Sequence, residues 1–147
     1  MTPEDTAYAL AEQLIAEAKA GNHACLNLSG LIFVREFEGE RRAGDEALRA
    51  LTTLPPQIAE LSTLRGLDLD NTQVADLTPL SPLTGLQELY LNNTQVADLT
   101  PLSPLTGLQE LSFHTTQVAD LTWRAPIGWS GLVVSASLVS GPLARCF

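Results

Sequence analysis

The sequence predicts an α/β fold: a short right-handed, horseshoe-shaped solenoid with a parallel sheet on its concave face, 3₁₀ or extended chain on its convex side, and an N-terminal helix as its cap. Three observations lead there. The string NTQVADLTPLSPLTGL fills residues 71–86 and returns unchanged at 93–108, a period of 22. Leucine supplies 27 of the 147 residues against eight aromatics and one lysine, so the apolar mass is nearly all one side-chain shape, as a repetitive core requires. The chain opens on a helical pattern that stops at a glycine. Its length is one domain's worth, too short for a two-domain enzyme with a cleft between.

Residues 1–21 form the cap. Thr2 is placed to N-cap a helix with Pro3 at its first position and Asp5 three residues on, and Leu10, Ala11, Leu14, Ile15 and Ala18 make an apolar stripe that ends before Gly21. Without such a cap the apolar edge of the first strand would face water. Residues 22–63 read as a divergent first repeat, visible in LNLSGL (26–31) and LTTLPPQIAELSTL (51–64). It is interrupted at about 32–50 by an insertion with strand-like alternation, a turn over 38–44 and a short helix from Asp45, predicted as a hairpin-like or irregular excursion.

Residues 64–122 hold three 22-residue units, the third incomplete. On the spacing L-x-x-L-x-L they place Leu64, Leu67 and Leu69, then Leu86, Leu89 and Leu91, then Leu108, Leu111 and Phe113. The strand period of two explains the spacing: Leu89 and Leu91 point inward while Tyr90 points out. One such unit cannot close a core, but stacked units share one. Pro79, Pro82, Pro101 and Pro104 forbid a long helix on the return path, leaving short 3₁₀ turns or extended chain. Residues 123–147 are apolar without the leucine spacing and read as a degenerate C-terminal cap or truncated repeat, or else as a surface for self-association. Residues 125–144 carry no charge and are long enough to span a bilayer, but Pro126, Pro142 and three glycines argue against a span.

The segment TQVADLTPLSPLTGLQEL is similar to the 22-residue repeats of internalin-type bacterial leucine-rich proteins, whose pattern runs through I-x-D-L-x-P-L; the likeness covers about residues 51–122. It implies a leucine-rich repeat solenoid that binds other proteins. The upstream EQLIAEAKAG, LNLSGL and LTTLPPQIAELSTL also resemble the start of repeat arrays in Roco-type multidomain proteins. That second resemblance implies an alternative: a regulatory segment split from a larger signalling enzyme, although these residues hold no GTPase motif. Where internalin-type families usually place an asparagine that bonds backbone groups across turns, this chain has Thr72, Thr94 and Thr116, which can make fewer such bonds.

The charge balance removes several function classes. A net charge of −9 repels a phosphate backbone, and no basic residue lies between Arg65 and Arg124, so nucleic acid and anionic membranes are not expected partners. Cys25 and Cys146 fit no metal or disulfide spacing and are expected as free thiols. The acidic N-terminal segment lacks the basic-then-apolar order of a secretory signal, which makes a cytoplasmic location the expectation. His23 and His114 have no neighbouring cysteine or second histidine in the repeats, and phosphate loops, Ser-His-Asp sets and HExxH are missing from the sequence, so no catalytic residue, metal or cofactor is assigned. Asp76, Asp98 and Asp120, which a calcium reading would stack, instead precede Thr-Pro or Thr-Trp turns and are expected to accept the free N–H groups of the short helices.

What remains for function is the concave surface. Its outward columns run Gly66, Glu88, Glu110; Asp68, Tyr90, Ser112; and Asp70, Asn92, His114, with Arg65 at the flank. Residues 64–122 contain seven acids and one arginine. The expected binding residues are therefore Arg65, Asp68, Asp70, Glu88, Tyr90, Asn92, Glu110, Ser112 and His114, with Tyr90 as anchor and the acids steering a protein or peptide with a basic surface.

Overall fold

The computed structural model describes residues 2–30, 34–37, 40–118 and 133–136, with backbone alone in 34–37, 40–43 and 133–136. Helix α1 (Pro3–Ala20) begins as the sequence requires: the Thr2 hydroxyl accepts the Asp5 N–H at 3.1 Å while the Asp5 carboxylate accepts the Thr2 N–H at 2.9 Å. The Gly21 N–H closes the other end on the carbonyls of Glu17 and Lys19. Its buried stripe is Ala7, Ala11, Ile15 and Ala18, with Leu10 and Leu14 only half-buried at its border. The stripe is thus rotated slightly from the predicted one, because alanines let the helix sit close to the 3₁₀ turns η1 (Glu46–Ala50) and η2 (Pro56–Glu60) that it packs on. Exposed pairs tie the cap down, among them Lys19 to Glu60 at 2.9 Å and the Thr52 hydroxyl to Glu4.

Five parallel strands form one sheet among the described residues, in chain order: β1 (Cys25–Asn27), β4 (Gly66–Asp68), β5 (Glu88–Tyr90), β6 (Glu110–Phe113) and β7 (Val133–Ala136). Leu67 pairs with Leu89 and Leu89 with Leu111, one period apart, so every repeat lays the same residue on the same rung. The carbonyl that precedes each strand takes two N–H groups of the next: Ala24 from Arg65 and Gly66, Arg65 from Gln87 and Glu88, Gln87 from Gln109 and Glu110. Behind the sheet, Leu67, Leu69, Leu89, Leu91, Leu111 and Phe113 meet the leucines and valines of the returning chain in one continuous core. The convex side is built from η1, η2, η3 (Thr78–Leu80) and η4 (Thr100–Leu102), as the prolines require.

Strands β4, β5 and β6 are followed by a left-handed residue, Asn71, Asn93 and Thr115, at φ of 56°, 55° and 54°. The following threonine is buried, and its hydroxyl donates to the carbonyl three residues back: Thr72 to Leu69 at 2.9 Å, Thr94 to Leu91 at 2.7 Å, Thr116 to Phe113 at 3.1 Å. The threonines therefore close their own turns, and backbone alone bridges units there, with the Gln95 N–H donating to Val74 and the Gln117 N–H to Val96.

The structure adds detail to two expectations. The insertion is an ordered antiparallel hairpin, β2 (Val34–Phe37) with β3 (Glu40–Ala43), so much of the predicted turn over 38–44 is strand; it is followed by η1, whose Ala47 N–H is capped by Asp45. The insertion also accounts for the long first step of the sheet, since Leu26 pairs with Leu67 rather than with a residue one period away. The tail holds one more strand than the leucine spacing allowed. β7 pairs with β6 at Leu111 and Val134, and Val134 and Ala136 occupy the register of Leu111 and Phe113. A search for leucines passes over them, although valine suits a strand well. The rest of the tail, including both tryptophans and Cys146, lies outside the described residues, as does Asp120.

Candidate functional site

The concave face is formed by the residues that alternate with the core leucines. Its rungs are fixed by pairing: Gly66, Glu88 and Glu110 on one column, Asp68, Tyr90 and Ser112 on the next. The third column, Asp70, Asn92 and His114, lies past the strand ends and is held by a chain of side-chain acceptors. The Asp68 carboxylate accepts the Asp70 N–H at 2.9 Å, Asp70 accepts the Asn92 N–H at 2.8 Å, and the Asn92 side-chain oxygen accepts the His114 N–H at 2.7 Å. Each short side chain extends the ladder where backbone pairing has ended. The same pattern begins in the first unit, where the Asn27 side chain takes the Ser29 N–H at 2.9 Å.

The predicted residues do not form one uniform surface. Asp68 and Asp70 are only 1% and 4% exposed, and Asn27 and Cys25 of β1 are buried with them. Strands β2 and β3 of the insertion pack against β1, the strand that carries Cys25 and Asn27. Ser112 is also buried, with its hydroxyl donating to the Asn92 side-chain oxygen at 2.8 Å. Arg65 donates to the Gly85 carbonyl at 3.3 Å, so it braces the neighbouring turn. Asp68, Asp70 and Ser112 are thus buried, while Arg65 stays partly exposed.

Glu88, Tyr90, Asn92 and Glu110 remain partly exposed and His114 is exposed. The Tyr90 hydroxyl donates to Glu88 at 3.1 Å, which fixes the ring on the face. Glu88 and Glu110 stand side by side on neighbouring strands, about 4.8 Å apart in the backbone. Sequence reasoning missed the burial of Asp68 and Asp70, because a spacing rule says which way a residue points and not what lies above it.

Away from this face, Asp76 accepts both the N–H and the hydroxyl of Thr78, at 2.9 and 2.6 Å, and the Asp98 carboxylate accepts the Thr100 N–H at 2.9 Å. Bonds from Thr78 and Thr100, side chain first and then backbone, hold these carboxyls below the usual range. They cap turns, as the sequence suggested. A shallow convex groove is lined by Thr78, Ser81, Asp98, Thr100, Pro101, Ser103 and Pro104. Among the described residues no group of His, Cys, Asp or Glu is arranged to hold a metal ion, Cys25 is buried and forms no disulfide, and no helix is long and apolar enough to cross a membrane.

With this geometry in hand, comparison with known proteins is specific. Residues 84–125 match a family model described as leucine rich repeats, two copies. A search of curated proteins returns no match. Among solved structures, the chain is similar to an internalin, InlF, from Listeria monocytogenes, with 25% identity and a TM-score of 0.51 over 65% of this chain and 31% of that one. It is also similar to internalin C2 of the same organism, with 27% identity and a TM-score of 0.53 over 95% of this chain and 80% of that one. The chain spans about a third of the length of the first of these structures.

Proposed function

We propose that this leucine-rich repeat solenoid, similar in its repeats and fold to the internalins, is a non-enzymatic recognition module that takes a protein or peptide with a basic surface on the open part of its concave face. The observation that carries the reading is the pair Glu88 and Glu110 beside Tyr90. Two carboxylates opposite each other on neighbouring strands present an acidic spot that suits a basic side chain of a partner. Tyr90, pinned through its hydroxyl to Glu88, offers contact area at little entropy cost. His114 completes the exposed rim. Asn92, its neighbour in the column, cannot act as an acid, and that supports binding over catalysis.

The test begins with a partner isolated on the immobilised protein and compares wild type, Tyr90→Ala and Glu88→Lys by calorimetry. Tyr90→Ala is expected to lose about 2 kcal/mol of affinity, near thirtyfold, as interface anchors do. Glu88→Lys acts mainly on association rate, and wild-type binding weakens as salt rises. If neither substitution changes the affinity while replacing Pro101 on the convex side does, the concave site is wrong.

A further inference from the structure

The shallow groove on the convex side stands apart from that face. It lies where η3 and η4 pack side by side, so the two identical units make it together. Its volume is about 330 Å³, near the lower end of the range of about 300–1,000 Å³ typical of ligand sites. One period earlier, Pro56 and Ala59 stand where Thr78 and Ser81 supply hydroxyls, so the same lining cannot form between η2 and η3.

The hydrogen bonds within the lining decide what it can take. Its four hydroxyl protons are all spent inside the protein: Thr78 donates to Asp76 at 2.6 Å, Ser81 to the Pro101 carbonyl at 3.0 Å, Ser103 to the Thr100 carbonyl at 2.8 Å, and Thr100 to Asp98. The backbone N–H groups of the same four residues are spent as well, on Asp76, Asp98 and the carbonyls of Thr78 and Thr100. Pro101 and Pro104 have no N–H to offer. A hydroxyl has one proton and two lone pairs, so these side chains keep acceptors and no donor. Asp98 completes the lining, and the Thr100 hydroxyl and N–H hold its carboxyl below the ordinary range, ionised at neutral pH. A carboxylate has about four acceptor sites, and Thr100 occupies only part of that capacity.

An anion finds no side-chain donor in such a groove, and a sugar hydroxyl, which accepts as well as donates, is only half served. A calcium ion needs about six to eight converging oxygens, whereas proline rings take up part of this lining. A guanidinium has five N–H donors, no acceptor, and flat, weakly hydrated faces that rest well on apolar surface. We infer that the convex groove between η3 and η4 is a second recognition site, which takes the guanidinium group of a partner's arginine with Asp98 as its counter-ion and the hydroxyl oxygens of both units as its acceptors. The inference goes beyond the concave reading and does not depend on it.

Titration of the isotope-labelled full chain with N-acetyl-arginine amide, followed by NMR at the amides of Thr78, Ser81, Thr100 and Ser103, decides it. These signals are expected to shift saturably at millimolar ligand, while N-acetyl-citrulline amide, of the same shape without the charge, leaves them in place. Since the readout is confined to convex amides, it stands or falls separately from the concave site of Glu88 and Tyr90. Asp98→Asn keeps a side-chain oxygen for the Thr100 N–H and removes the charge; it should weaken arginine binding about tenfold, as loss of a charged hydrogen-bond partner does. A melting curve on the same sample shows that the variant is folded. Convex amides that ignore the arginine probe would overturn the inference, as would an equal response to citrulline or to N-acetyl-lysine amide, or unchanged affinity in Asp98→Asn. Calcium chloride reproducing the shifts would also sink it, by showing an oxygen cradle for a metal ion instead.

Discussion

The two halves of the concave face share a backbone and differ in fate. On β1, β4 and just beyond, the outward residues Cys25, Asn27, Asp68 and Asp70 are buried, whereas on β5 and β6 Glu88, Tyr90, Glu110 and the neighbouring His114 meet solvent to varying degrees, with Ser112 buried among them. The strands are parallel, in register and built on the same leucine rungs throughout. The buried half is also the one beside the insertion, whose strands pack against β1. In a solenoid the repeat sets the scaffold, and departures from it set where a partner can sit.

The comparison can be tested from its strongest shared feature downward. Leu67 and Leu89 are equivalent core residues of the two halves, each almost fully buried. Leu67→Ala and Leu89→Ala should each cost about 3 kcal/mol in urea denaturation, and similar losses in both would show that the halves share one core. A loss at Leu67 well below that at Leu89 would mean the covered half is loosely packed.

Gly30 comes next, at the end of the first strand segment, where its N–H donates to the Asp70 carbonyl. A Cβ there would lie 2.3 Å from the Asn71 carbonyl oxygen. Backbone cannot yield so far, and Gly30→Ala should destabilise by about 2 kcal/mol, measured by the urea midpoint. Gly107→Ala in the open half is the contrast: its nearest neighbours stand at 3.5 Å, so the midpoint should hardly move.

Thr115 gives an effect of the opposite sign. It occupies the left-handed position that Asn71 and Asn93 fill in the preceding units, and a β-branched side chain is poorly suited to that φ. Thr115→Asn should raise stability by about 0.5 to 1 kcal/mol, visible as a higher melting temperature. No gain would show that the third unit has settled around its threonine.

The smallest effect concerns the turn caps common to both identical units. The folded-state carboxyls of Asp76 and Asp98 are held below their ordinary value by Thr78 and Thr100, so their contribution is present above the unfolded carboxylate range and disappears as pH falls through the folded values. Asp98→Ala should cost about 0.5 kcal/mol at pH 7 by melting, with the difference from wild type closing as pH falls through the lowered folded-state range of this carboxyl. A difference that persists at low pH would assign the loss to something other than the ionised cap.

How much of this was legible follows from the same contrast. The 22-residue period, the inward leucines, the Thr2–Asp5 capping box and the Asp76 and Asp98 caps are local or periodic, and each is written in adjacent residues. The burial of Asp68 and Asp70 was not legible, because a period says which way a residue points and not what surrounds it in the folded chain. β7 was missed because Val134 and Ala136 fill rungs held elsewhere by Leu and Phe. The role of Asn92 was half-legible: the sequence placed it between Asp70 and His114, but only the geometry shows that its side chain carries the His114 N–H.

The identical strings at 71–86 and 93–108 have a further consequence for how such a surface changes over generations. The 3₁₀ turns they contain have nearly superimposable entry and exit angles, with Leu77 and Leu99 at φ −99° and Ser81 and Ser103 at φ −55° and −54°. A gene that carries two interchangeable copies can gain or lose one by unequal recombination, and the joint falls between units that already fit. Each such event would lengthen or shorten the recognition face by one rung, about 4.8 Å, without a new core having to be invented. Reach becomes a heritable variable uncoupled from folding, while the hairpin and the cap stay fixed at one end as the origin from which it is measured.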